Sequence, residues 1–303
     1  MKARIIVPTF LLLFIGTSFT SHAQRWKRYR HEFGVGVGAA NYMGDLGGRT
    51  VDENSRWRDF QAEVSRPALM FTYKYRATER VAFRGNFAFA RVFGDDELAG
   101  NDGRRNRNLH FRSNIIELSA QAEYYFLTED IRSIYRIRGM RGKSGSNLAG
   151  YIFGGIGVFN YNPQARDSEG DWINLRELNT EGQGLPDAPD PYSRFAVSFP
   201  MGVGFKLAVN RQLSVGVEYG LRFTTTDYLD DVSGQYYNPD ALEAAYGEKS
   251  VEMADRRLEG RGASTSRNQS GTRGNPGKTD AFMFGMVTLT YKLRSTGQSR
   301  TRF

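Results

Sequence analysis

Strict alternation of apolar and polar residues recurs along this chain, and its most regular run opens the stretch 213–237. Leu213, Val215, Val217, Tyr219, Leu221 and Phe223 share one face, against Ser214, Gly216, Glu218, Gly220, Arg222 and Thr224 on the other. Successive side chains of a strand point to opposite faces, so this period is that of a β-strand. The apolar face is bulky and unbroken for about eleven residues, the length at which a tilted strand crosses a hydrocarbon layer. The opposite face carries a Glu, an Arg and two Gly. Apolar outside and polar inside is the requirement of a transmembrane β-barrel.

The same pattern predicts eight strands, at 32–43, 66–76, 80–93, 111–126, 149–161, 194–209, 212–226 and 281–293. In 116–126, Ile116, Leu118, Ala120, Ala122, Tyr124 and Phe126 oppose Glu117, Ser119, Gln121 and Glu123. Connections alternate in length: tight turns at Ala77-Thr78-Glu79 and Asn210-Arg211, long polar stretches elsewhere. This is the signature of an eight-stranded antiparallel up-and-down barrel with long loops outside and short turns in the periplasm. The exception is 127–147, long for a periplasmic turn and rich in Arg and Lys. Residues 162–193, with Pro163, Pro186, Pro189 and Pro191, are expected to lack regular structure. Asn238-Pro239 predicts a capped helix start, with one helix over 239–258. Residues 261–279, rich in Ser, Gly, Asn and Arg, read as mobile.

Residues 1–23 read as a secretory signal peptide, leaving 24–303 as the barrel domain. Lys2 and Arg4 precede the apolar run Ile5 to Gly16, and Ser21-His22-Ala23 forms a small-x-small cleavage site before Gln24. No later stretch approaches the ~20 apolar residues of a helical span. An exported protein that crosses a membrane by strands belongs in the outer membrane of a Gram-negative bacterium.

Composition changes this picture little. The chain of 303 residues has no Cys, which excludes disulfides, thiolate metal sites and an amino-terminal lipoprotein anchor. Its 21 Phe, 16 Tyr and 34 Gly suit strands and tight turns. The mean hydropathy of −0.52 would read as soluble, but alternating strands and polar loops give a barrel the same average. A lipocalin-like soluble barrel remains the structural rival. The net charge of +8 raises nucleic acid or anionic lipid as partners; no aromatic-basic repeat or helix-turn-helix pattern supports nucleic acid.

Candidate chemistry is sparse. His22 leaves with the signal peptide, and His31 and His110 fall at strand ends on opposite edges. A Ser-His-Asp barrel enzyme needs an inward His beside Ser or Asp, so the expectation is a non-enzymatic protein with no cofactor. Arg84, Glu117, Glu123, Lys206, Glu218 and Arg222 face inward in the predicted register. An ion-pair network filling a lumen too narrow for a channel is the expected role, with a solute path as the alternative. Asp227, Asp230 and Asp231 lack the spacing of a calcium loop and read as a solvated turn with caps. Gly34-Val35-Gly36-Val37-Gly38 is not a phosphate loop; its glycines leave room for other lumen side chains. The sequon Asn268-Gln269-Ser270 reads as chance.

Two segments carry more specific character. Gly34–Gly48 contains N-Y-x-G-D-L (Asn41, Tyr42, Gly44, Asp45, Leu46), and Glu218–Tyr236 contains T-D-Y-L-D-D-V-S-G (Thr226, Asp227, Tyr228, Leu229, Asp230, Asp231 to Gly234). With Ala122-Glu123-Tyr124-Tyr125-Phe126, they resemble the PorG-like family of outer-membrane β-barrels of the type IX secretion system. The resemblance implies a non-enzymatic barrel that contacts the periplasmic ring of PorK and PorN. Arg136, Arg138, Arg141 and Lys143 in the basic segment are then candidate ring contacts. The motif residues follow outward-running strands, so both segments reach the extracellular rim, where they cap each other or bind a partner. An OmpA-like adhesion or envelope-stability barrel and a narrow pore are the other readings.

Overall fold

The computed structural model describes residues 29–47, 63–100, 102–129, 147–258 and 272–294. The signal-peptide assignment, the sequon and the candidate contacts Arg136, Arg138, Arg141 and Lys143 lie outside these residues. Eight long strands form the barrel: β1 (His31–Met43), β2 (Arg66–Arg76), β3 (Val81–Asp95), β4 (His110–Leu127), β5 (Leu148–Arg166), β7 (Phe195–Ala208), β8 (Leu213–Thr224) and β9 (Ala281–Leu293). Each pairs antiparallel with its neighbour in chain order, and β1 pairs with β9, from His31↔Leu293 to Met43↔Ala281, which closes the sheet. Closure removes the unpaired edges that a membrane cannot solvate.

The alternation read from sequence is the alternation of exposure. Leu118 is 68 % exposed, Val217 55 % and Val287 53 %, while Glu117, Arg84 and Ser214 are buried. Such a continuous apolar outer surface would drive aggregation in water; around a closed barrel with a polar interior it is a lipid-facing belt. The protein is a transmembrane β-barrel of the outer-membrane type. Leu118→Arg, at the middle of β4, is therefore expected to cost about 2–4 kcal/mol, read as a lowered urea midpoint for folding into vesicles. An unchanged midpoint would place that face in water.

The short turns are built by side-chain acceptors. Thr78 Oγ1 accepts from the N–H groups of Arg80 (3.2 Å) and Val81 (2.9 Å). Asn210 Oδ1 accepts from those of Gln212 and Leu213, both at 2.8 Å. At the opposite rim, three expectations are corrected. Residues 162–193 are ordered: β5 continues to Arg166, β6 (Trp172–Asn174) folds back onto it, and a 3₁₀ turn follows at Leu175–Leu178. Prolines did not prevent this, because β5 gains pairing from β4 on one side and β6 on the other. The single helix over 239–258 is two, α1 (Pro239–Tyr246) and α2 (Glu248–Ala254). Gly247, at φ 87°, lies in a backbone region that breaks the first helix. Its start is as expected, with the Asn238 side chain accepting from the N–H groups of Asp240 and Ala241. Residues 272–279 are ordered too, with Gln235 bridged to Thr272 and Arg273 fully buried.

Candidate functional site: a plugged lumen and an interlocked mouth

The lumen is filled by charge pairs stacked along the barrel axis. At mid-height, Arg84 donates to Glu218 (2.8 and 3.0 Å) and, through Nε, to Gln121 (2.9 Å). It also pairs with Glu123 at 3.0 Å. Towards the short-turn rim, Lys74 pairs with Glu123 at 2.8 Å and Lys206 with Glu32 at 3.0 Å. Lys292 and Glu129 close that end. Towards the loop rim, Arg222 faces Glu117 at 3.6 Å and lies 3.9 Å over the Phe284 ring.

Aromatic rings fill the space between the pairs, and small residues make room for them. A Cβ on Gly204 would lie 2.4 Å from the Tyr151 ring, and one on Gly202 would lie 2.6 Å from that of Phe153. The Tyr151 hydroxyl donates to Glu218. A small cavity by Glu32, Thr72, Lys74 and Thr288 has room for about one water. The lumen is a packed core rather than a channel.

Above the pairs, the loops interlock over the mouth. The residues Asn41 to Leu46 span the last residues of β1 and the turn beyond it, and the run Thr226 to Gly234 packs against them. Tyr42 joins the two: its hydroxyl lies 2.6 Å from Asp230 Oδ2 and 2.6 Å from Asp280 Oδ1, and it accepts from the N–H of Asp45 at 2.9 Å. A phenol has one proton to donate. The second short contact therefore needs a proton on a carboxyl, and the Asp230–Asp280 pair holds it. Burial raises both carboxyls well above the usual carboxylate range, with each reinforced by neighbouring acids, Asp45 among them.

The expectation of a solvated turn at Asp227, Asp230 and Asp231 is corrected. Asp230 and Asp231 are buried, and the Tyr42 hydroxyl takes the space between Asp230 and Asp280. Asp231, at φ 67°, accepts from Thr180 (2.5 Å) and Tyr192 (2.6 Å). Burial pushes its carboxyl up to about 6 against the pull of Arg273. Arg273 in turn donates to Glu181 (3.1 Å) and to the Asp231 carbonyl (2.5 Å). Glu181 accepts from the N–H groups of Ser233 (2.9 Å) and Gly234 (3.0 Å). Arg107 holds both oxygens of Asp96 (2.7 and 2.8 Å) and the carbonyl of Asp45 (2.8 Å). Beneath this lattice, Tyr161, Tyr192 and Tyr228 stack with nearly parallel rings. Described residues from all four connections at this rim thus close one cap over the barrel.

A family model described as a domain of unknown function, DUF6089, matches residues 7–250. The chain belongs to the DUF6089 family. No protein of curated function matches it. Among solved structures, this DUF6089 member is similar to Neisserial surface protein A, at 7 % identity and TM-score 0.38, covering 87 % of this chain and 97 % of that one. It is also similar to Pseudomonas aeruginosa OprG, at 12 % and 0.36 (88 % and 98 % covered). The attachment invasion locus protein Ail of Yersinia pestis stands at 11 % and 0.34 (87 % and 99 %).

All six sequence-selected lumen charges face the interior of the DUF6089 barrel and are buried. Sequence reasoning did not single out Glu32, Lys74, Arg76 and Tyr125, which complete the network. The signal was there for all of them: Lys74 and Arg76 continue the inward phase of Met70 and Thr72 on β2, Tyr125 that of Glu117 to Glu123 on β4, and Glu32 shares the phase of Gly34 and Gly36 on β1.

Proposed function

We propose that this chain is a non-enzymatic outer-membrane component of the type IX secretion apparatus, anchoring or assembling the periplasmic PorK–PorN ring at the membrane. The observation that carries the reading is the Tyr42–Asp230 contact, made between residues 188 positions apart. It joins the two segments that resemble the PorG-like family, so the likeness falls on one structural unit. The plugged lumen supports an anchor better than a conduit. The histidines support a role without catalysis: His31 Nδ1 lies 2.8 Å from the Tyr73 hydroxyl, and His110 accepts from the Arg166 N–H at 3.0 Å. The basic segment connects Leu127 to Leu148 at the rim from which β1 starts and β9 ends, the side that faces the periplasm in this reading.

A carboxyl-terminal tag and mild detergent extraction test it. Ring proteins are expected to co-purify stoichiometrically, and reversal of Arg136, Arg138 and Arg141 to Glu is expected to weaken their recovery. A monomeric barrel recovered alone would contradict the secretion role. It would favour the second reading, an OmpA-like adhesion or envelope-stability barrel, for which the rigid loop cap is the supporting observation.

A further inference from the structure

The outward face of the loop rim carries a second constellation. Arg91 on β3, Arg112 on β4 and Arg166 at the end of β5 occupy positions in phase with the lipid-facing residues of their strands. Register places Arg91 opposite Asn114, and Arg112 opposite Gln164. Neutral amides orient two of the guanidiniums: Arg91 Nε donates to Asn114 (2.8 Å), and Arg112 Nε donates to Gln164 (3.1 Å). The Trp172 ring holds Arg112 at 3.7 Å and Arg166 at 5.0 Å. Among the described residues, none of the three guanidiniums forms an ion pair with a carboxylate. The neighbouring charges that act on Arg112 are Arg91 and Arg166, both positive. Asp95, which shares this face of β3, is turned to accept from the Glu97 N–H at 3.0 Å.

Like charges held together on neutral supports favour an anion, and guanidiniums match phosphate oxygens in geometry. The site is continuous with the belt: two residues below Asn114 is Ile116, 43 % exposed, and then Leu118; Val158 pairs opposite Leu118. A free anion would have no use for that apolar floor. We propose that Arg91, Arg112 and Arg166, with Trp172 as their platform, bind a phosphate of an outer-leaflet glycolipid headgroup whose acyl chains lie on the belt below. The proposal rests on the long-loop rim being the outer side.

Native mass spectrometry of the refolded full chain in detergent tests it, with bis-phosphorylated lipid A, its dephosphorylated form and inorganic pyrophosphate as probes. Lipid A binding is expected to fall about tenfold or more in R91Q/R112Q/R166Q, the loss of at least one charge-assisted bond. Binding in R91K/R112K/R166K, which keeps the charges but loses the planar forks and their stacking on Trp172, should fall between wild type and the glutamine variant, and the dephosphorylated form should bind as weakly as the glutamine variant binds lipid A. Equal binding by the glutamine variant, or by the dephosphorylated lipid, would overturn the site. Pyrophosphate binding as well as lipid A would overturn the lipid assignment. Heat-modifiable mobility checks that each variant is folded. Protease digestion of the two rims in oriented vesicles separately tests which rim is outside.

Discussion

Replacing Arg84 with alanine is expected to destabilise the barrel by about 3–5 kcal/mol, the cost of leaving a buried charge without its partner. Arg84 is the hinge of the lumen network, 3 % exposed, bonded to Glu218 and Gln121 and paired with Glu123. Its guanidinium also lies 4.3 Å over the Phe153 ring. Without it, Glu123 keeps Lys74, but among the described residues the Tyr151 hydroxyl is the one hydrogen-bond partner left to Glu218. The double variant R84M/E218L removes both charges together and is expected to recover much of the loss, since apolar groups of similar volume often replace a buried pair at little cost. The exposed Arg194–Glu177 pair is the control: R194A should change stability by no more than about 1 kcal/mol. Urea unfolding followed by heat-modifiable mobility reads all three. R84A unfolding at the wild-type midpoint would mean that water reaches the lumen carboxylates.

The cap over the mouth is expected to loosen as pH rises from 5 to 8. The folded Asp230–Asp280 pair holds a proton that the unfolded chain releases above about pH 4. A carboxyl raised on folding stabilises the folded state most below its unfolded value, and that stabilisation is lost as pH rises towards the folded value. Asp231, pushed up to about 6, adds the same sign between about pH 4 and pH 6. The groups facing the pair are Tyr42 from β1, Asp45 beyond it, Asp227 on the crossing loop and Arg107 from the connection before β4. Only Arg107 opposes the sign, and it is already held by Asp96. Hydrogen exchange of the Leu229, Val232, Ser233 and Gly234 amides, corrected for intrinsic rates, should show protection falling by up to about tenfold per pH unit for each linked proton. In Asp230→Asn the amide donates to Tyr42 without a borrowed proton, and this slope should flatten to the part due to Asp231. Protection that rises with pH in the wild type would contradict the shared proton.

The barrel was legible because its signal is local. A strand with one face in lipid must alternate, so Leu118 and Glu117 declare their sides in the sequence alone. Strand ends were less legible: β5 runs on to Arg166 because β6 pairs with it, a contact no window around residue 166 contains. The cap was hidden for the same reason, on a larger scale. Asp230 and Asp231 look like surface turn residues, and nothing near them announces that Tyr42, Thr180, Tyr192 and Arg273 will bury them. The motif runs stood out as unusual; that they would touch each other was one of two readings, and the interlock is what the fold added.

Planar-bilayer recording of the purified full chain tests most directly whether this is a plugged span. The packed lumen and the closed cap predict a silent membrane, with no stepwise conductance at either polarity. Discrete, reproducible openings of the wild-type protein would contradict a filled barrel and turn the ion pairs into the walls of a path.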